Sequence, residues 1–293
     1  MDQIIAFFMA IISFFMNLFG ITPVKYDKYT NLSYGSDKNQ VLDLYLPKED
    51  KDGVALMLYI HGGSWTGGDK SSYNDFCKNT TGNYGYASAT MNYRLLTANG
   101  NVTYKDMLDD IDSAINYIVD TAADKGTEIT QIGIAGASAG GHLALLYSYT
   151  RYNQSRLPIK FCVSKVGPTN FTDTAFFAEN MDHSFDRYAL ISALVGKSVT
   201  ADNFNSMKAS LIAASPLSYV TSDVPPTLMA YGQKDTLVPF SNGTDLHIAL
   251  KKAGVPCDFY DFPNSGHDLM DDPSVSDAYI GAIVDYAKTY FGY

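Results

Sequence analysis

The chain has 293 residues, 46% of them hydrophobic and 18% charged, a composition that supplies apolar surface for a large core and excludes a disordered chain. Twenty-one Lys and Arg against 31 Asp and Glu leave a net charge of -10, a field that repels phosphate backbones and argues against a nucleic-acid partner. The three cysteines, Cys77, Cys162 and Cys257, are too few for a disulfide framework and too widely spaced for a zinc cluster, and they leave the redox compartment open.

Residues 4–19 are apolar apart from Ser13 and Asn17. As a helix they reach about 24 Å, short of the ~30 Å hydrocarbon core of a bilayer. Met1-Asp2-Gln3 brings no basic side chain and Leu18-Phe19-Gly20-Ile21 is a poor cleavage site. A docked or interfacial helix stopped by Gly20 and Pro23 is therefore favoured over a signal or membrane anchor. The expectation is a separate hydrophobic segment over residues 1–22, with membrane association through residues 4–19 as one reading. A cytoplasmic or peripheral-membrane location is favoured over an exported or anchored one, and the oligomeric state is left open.

No repeat, low-complexity tract or long linker divides residues 23–293, which read as one domain. Residues 25–32 and 41–46 alternate apolar and polar side chains around the turn Gly35-Ser36-Asp37, as an antiparallel strand pair does. Residues 55–60 and 132–135 are short apolar runs that end in glycine-containing turns, the pattern of strands buried on both faces. Residues 104–123 place Met107, Ile111, Ala114, Ile115 and Ile118 at helical spacing. Residues 139–149 and 240–253 read as helices, and residues 161–166, 227–231 and 258–262 as further strands. This alternation predicts a doubly wound α/β sheet with helices on both faces and its site at the carboxyl ends of the strands.

The reactive residue types stand at those strand ends. Gly136-Ala137-Ser138-Ala139-Gly140 joins a predicted strand to a predicted helix, the context in which a strained turn lifts a nucleophilic serine out of a sheet. A serine hydroxyl needs a base, and the base needs an orienting group. Of His61, His142, His183, His247 and His267, only His61 and His267 directly follow predicted strands. His267 also lies where the chain order Ser, Asp, His requires it. His142 is assigned to packing, His247 to the surface or core of its helix, and His183, in an aromatic-rich insertion, is a candidate substrate contact. Asp235, just after the strand 227–231, is the expected orienter, with Asp261 and Asp268 as rivals.

His61-Gly62-Gly63-Ser64-Trp65 follows the strand 55–60, and its glycines free backbone N–H groups to hold an oxyanion. Gly63, Ser64 and Ala139 are the expected donors, and His61 is expected to brace the loop. Trp65 is expected beneath the loop or as a pocket wall. Residues 171–219 form an insertion, a small cap whose Phe176, Phe177, Met181 and Tyr188 either face a substrate or pack on the core.

With these motifs stand Val41-Leu42-Asp43-Leu44-Tyr45-Leu46-Pro47, Asn92-Tyr93-Arg94-Leu95, Gly141-His142, Val238-Pro239 and Ser265-Gly266-His267. Together they resemble α/β-hydrolases of the acetyl esterase and carboxylesterase branch, related to hormone-sensitive-lipase-like and bifunctional feruloyl and acetyl esterases. The resemblance covers nearly all of the chain after the N-terminal segment. It implies an α/β-hydrolase fold with an eight-stranded, mostly parallel sheet, and hydrolysis of short-acyl esters, of small molecules or saccharides, with no metal or organic cofactor. Amidases and peptidases share the fold, and a binding protein that lacks catalysis is a remote third reading. Ser64 stands where the lipase-like members have a third glycine, and the stretch after Arg94 lacks their proline-rich wording.

Overall fold

The computed structural model describes residues 23–48, 53–97, 101–178, 180–182 and 184–292. The expectations for residues 1–22, including membrane association through residues 4–19, and for His183 lie outside the described residues. Among the described residues no helix is long and apolar enough to cross a membrane.

Eight strands make one sheet. They are β1 (Tyr26–Ser33), β2 (Val41–Pro47), β3 (Val54–Ile60), β4 (Ala87–Met91), β5 (Ile129–Ala137), β6 (Ile159–Lys165), β7 (Thr227–Gly232) and β8 (Cys257–Phe262), in the order β1-β2-β4-β3-β5-β6-β7-β8. The pairs β1/β2 and β2/β4 are antiparallel and every other pair is parallel. The expected strands are present with ends shifted by a few residues. β4 is the strand that patterning misses: Ala-Ser-Ala-Thr-Met has little bulk, yet all five residues are buried because β2 and β3 flank it.

Seven helices accompany the sheet: α1 (Asn74–Tyr84), α2 (Tyr104–Asp124), α3 (Ala139–Arg151), α4 (Arg187–Val195), α5 (Phe204–Ala213), α6 (Phe240–Ala253) and α7 (Pro273–Phe291) among the described residues. Strand periodicity divides the core between two faces. Leu56, Leu58 and Ile60 of β3 meet Ile111 and Ile115 of α2, Leu143 of α3 and Leu246 of α6 in one cluster. Ala55, Met57 and Tyr59 of the same strand join Cys77 of α1 and Tyr279, Tyr286 and Phe291 of α7 in the other. All three cysteines are buried and free, and burial raises the Cys162 thiol to about 12, so they behave as small core hydrophobes.

Two polar clusters pin the opening of the domain. Asp110 of α2, fully buried, accepts from the Arg94 backbone at 2.7 Å, from Arg94 Nε at 2.8 Å and from Gln40 Nε2 at 2.8 Å. Lys70 and Asp43 form a buried ion pair at 2.6 Å. The Asn92-Tyr93-Arg94-Leu95 motif thus ties β4 to α2 and is structural.

The strand order reverses between β3 and β5, which lie side by side with Ile60 opposite Gly136. That register sets the turn after β3 beside the turn after β5, the crevice in which open α/β sheets bind ligands. The chain between β6 and β7 holds α4 and α5, and its Asp182 N–H and Arg187 guanidinium both donate to Thr236 O, just beyond the carboxyl end of β7.

Candidate active site

Ser138 occupies the turn between β5 and α3 with φ 54° and ψ -123°, left-handed for a residue with a Cβ. Its N–H donates to Lys165 O at the end of β6 (2.8 Å), and its carbonyl accepts the first α3 bond from His142 N (2.9 Å). The turn tolerates little bulk: a Cβ on Gly140 would lie 2.1 Å from Ile60 O, and one on Gly62 would lie 3.1 Å from the Ser138 Cβ. The small residues of both motifs thus let the two loops touch.

His267 is brought to this serine by the loop after β8. Its Nε2 lies 2.9 Å from Ser138 Oγ, and its Nδ1 lies 2.7 Å from Asp235 Oδ2. A carboxylate opposite Nδ1 places the imidazole proton there and leaves Nε2 as an acceptor for the serine proton. Asp235 follows β7, its side chain fully buried, and its Oδ1 accepts from the N–H groups of Leu237 (2.8 Å) and Val238 (3.0 Å). The rivals point elsewhere. Asp261 accepts from Gln233 Nε2 at 2.7 Å, and the Asp268 carboxylate accepts from Met270 N at 3.3 Å.

The His267 loop has its own anchor in Asp272, which sequence reasoning does not find. Its carboxylate accepts from Asn264 N (2.9 Å), Asn264 Nδ2 (2.8 Å) and Ser265 Oγ (2.7 Å). Lys165 adds a second tie, because its Nζ donates to Asp268 O at 2.8 Å while its carbonyl holds Ser138 N–H.

In the loop after β3, Gly63, Ser64 and Trp65 have φ of 116°, 51° and 59°. Among the described residues no hydrogen bond uses the N–H of Gly63, Ser64 or Ala139. His61 braces this loop: its Nδ1–H donates to Gly62 O at 2.7 Å and its ring stacks on Tyr93 at 4.5 Å. Six non-glycine residues have positive φ among the described residues, and five of them (Ser64, Trp65, Val166, Leu269 and Ser138 itself) stand in the turns around this site. Each such conformation costs on the order of 1 to 3 kcal/mol and persists where surrounding packing enforces it.

Burial decides between the two readings of Trp65 and of Phe176. Trp65 is 2% exposed and packs edge-on against His142 and Phe171, so it lies beneath the loop and walls no pocket. Phe176 is also 2% exposed, between Phe171 and the Arg187 guanidinium. Phe177 differs: with Thr172, Tyr188 and Phe204 it lines a cavity of about 400 Å³ formed by insertion residues.

His142 is fully buried. Trp65 Nε1–H donates to its Nδ1 at 3.2 Å, and its Nε2–H donates to Ala214 O at 2.8 Å, so the neutral ring joins the β3 loop, α3 and the insertion. Burial lowers its pKa from 6.5 to about 4, the Ala214 bond opposing only in part. Between those values the unfolded chain holds a proton that the folded protein lacks. Stability is therefore full above the upper value and declines as pH falls toward the lower one, by on the order of 3 kcal/mol. Urea unfolding at neutral pH and near pH 5 measures this loss. In His142→Gln the amide keeps both hydrogen bonds but does not titrate, so the loss is expected to shrink; an equal loss in both proteins contradicts the assignment.

A family model for BD-FAE matches residues 42–250, a stretch that includes His61, Ser138 and Asp235. Esterase LipQ of Mycobacterium tuberculosis is 26% identical over 246 residues, covering 81% of this chain and 56% of the relative. The acylamino-acid-releasing enzyme of Homo sapiens is 27% identical over 222 residues, covering 71% of this chain and 28% of the relative. The chain thus spans about half the length of the first and less of the second. Among solved structures, a truncated form of carbohydrate esterase from gut microbiota superposes with a TM-score of 0.70 at 22% identity, covering 92% of this chain and 98% of that one. The eight-stranded, mostly parallel sheet, its strand order and this likeness show the α/β-hydrolase fold. With more than half of its length matched by the family model, the chain belongs to the BD-FAE family.

Proposed function

We propose that the protein is a serine hydrolase of short-chain carboxylic esters, with Ser138 as nucleophile, His267 as general base and acid, and Asp235 as orienter. The observation that carries this reading is the unbroken relay from Ser138 Oγ through His267 to Asp235, at 2.9 and 2.7 Å. Ser138 Oγ attacks the ester carbonyl carbon while its proton passes to His267 Nε2. The oxyanion is held by the N–H groups of Gly63, Ser64 and Ala139, each worth about 3 to 4 kcal/mol in sites of this kind. The intermediate collapses, His267 gives its proton to the departing alcohol, and an acyl-enzyme remains. Water, deprotonated by the same imidazole, then releases the acid and restores the serine.

Acetyl or feruloyl groups on plant polysaccharides are the proposed natural esters, a reading supported by family membership and by the fold shared with a carbohydrate esterase. Hydrolysis of 4-nitrophenyl esters from acetate to decanoate tests the activity. Turnover is expected to be fastest on acetate and butyrate, and no turnover on any member overturns the reading. The likeness to an acylamino-acid-releasing enzyme favours a second reading, amide cleavage. An N-acyl amino acid 4-nitroanilide, cleaved while the esters are not, would select it.

A further inference from the structure

Arg187 is a charged residue that the mechanism above does not use, yet it is 6% exposed. It opens α4 in the insertion, and its guanidinium lies over the rings of Phe176 (4.9 Å) and Phe185 (5.1 Å). Its Nη2 donates to Thr236 O at 2.8 Å and its Nη1 to Leu237 O at 2.9 Å. The N–H groups on the far sides of those same two peptide units are Leu237 N–H and Val238 N–H, and both donate to Asp235 Oδ1. The fork of one guanidinium therefore grips, carbonyl by carbonyl, the two peptides that hold the carboxylate behind His267. Asp182 N–H, also from the insertion, donates to Thr236 O at 2.8 Å and closes the clamp.

We propose that Arg187 is a positioning residue of the triad. It fixes the planes of the 236–237 and 237–238 peptides, so that their amides point at Asp235, and by hydrogen-bonding their carbonyls it polarises those amides as stronger donors. The insertion is thereby part of the catalytic scaffold as well as a cover. The planar fork suits two adjacent carbonyls, whereas the compact lysine ammonium reaches one of them. This inference rests on the triad reading above.

The test compares Arg187→Met and Arg187→Lys with wild type and with Lys197→Ala, an exposed change in the same insertion, on the full chain. Arg187→Met is expected to lose about 10- to 100-fold in kcat with KM little changed, because misorientation costs rate and Arg187 touches no substrate. Arg187→Lys falls between Arg187→Met and wild type, and Lys197→Ala matches wild type. Independently of turnover, the low-field proton resonance of His267 Nδ1–H is expected to move upfield or broaden in both Arg187 variants. If Arg187→Met does not fold, Arg187→Lys decides by the same two readouts. Should wild type hydrolyse no ester, the resonance alone decides, so failure of the esterase reading is distinguishable from failure of this one. A folded Arg187 variant with wild-type kcat and an unmoved resonance overturns the proposal, as does a loss confined to KM.

Discussion

Ser138→Ala is expected to lower kcat/KM on 4-nitrophenyl acetate by on the order of 10⁴-fold or more. The residue supplies the one hydroxyl oxygen paired with His267 Nε2, and alanine leaves that nitrogen with no proton to take. The backbone amides of the β3 loop and of Ala139 remain, so a small residual rate over solution is expected from oxyanion stabilisation and binding alone. Alanine meets the same left-handed φ as serine, and no described hydrogen bond of the Ser138 side chain besides that to His267 is lost. The melting temperature should therefore stay near that of wild type, separating lost chemistry from lost fold. A variant that keeps more than about 1% of the rate would place the nucleophile elsewhere.

Asp235→Asn is the second large effect, on the order of 10⁴-fold in kcat. The substitution preserves shape. Its amide oxygen can still accept from the N–H groups of Leu237 and Val238, the bonds that now hold Oδ1. The amide nitrogen then faces His267 Nδ1 as a donor and forces the imidazole proton onto Nε2. An Nε2–H cannot accept the proton of Ser138, so the base is lost although every heavy atom stays in place. Steady-state kinetics on the ester series measure this directly. A loss below about tenfold would return the orienting role to the rivals Asp261 and Asp268.

Much of this arrangement is legible in the sequence because parallel strands buried on both faces read as short apolar runs, and because the reactive residues sit immediately after them. Ser138, Asp235 and His267 each follow a strand end that patterning locates within a few residues. Strand β4 escapes the same reading because its burial comes from its neighbours and not from its own bulk. The aromatic residues near the site are ambiguous for a different reason. Trp65 goes into the core because the left-handed backbone of its loop turns it there, whereas Phe177, close to the buried Phe176 in sequence, faces a cavity. Local sequence holds no sign of which way such a ring points.

Arg187 and Asp272 mark a further limit. Arg187 acts on the main-chain carbonyls of Thr236 and Leu237, and Asp272 on one main-chain amide and two side chains of the loop that bears His267. A backbone carbonyl or amide leaves no residue-specific trace in the chain, so side chains that orient a site through peptide groups become visible only in three dimensions. Asp272 does carry a local signal, as the residue before Pro273 at the start of α7, but that signal speaks of a helix start and not of a histidine loop.

The most direct measurement of the central claim is covalent. The full chain is incubated with a serine-directed alkyl phosphonate, and intact mass and peptide mapping locate the adduct. One adduct on Ser138, absent from Ser138→Ala and formed far more slowly in His267→Ala, is the expected result. An adduct on another residue, or none on Ser138 in a folded protein, would contradict the account.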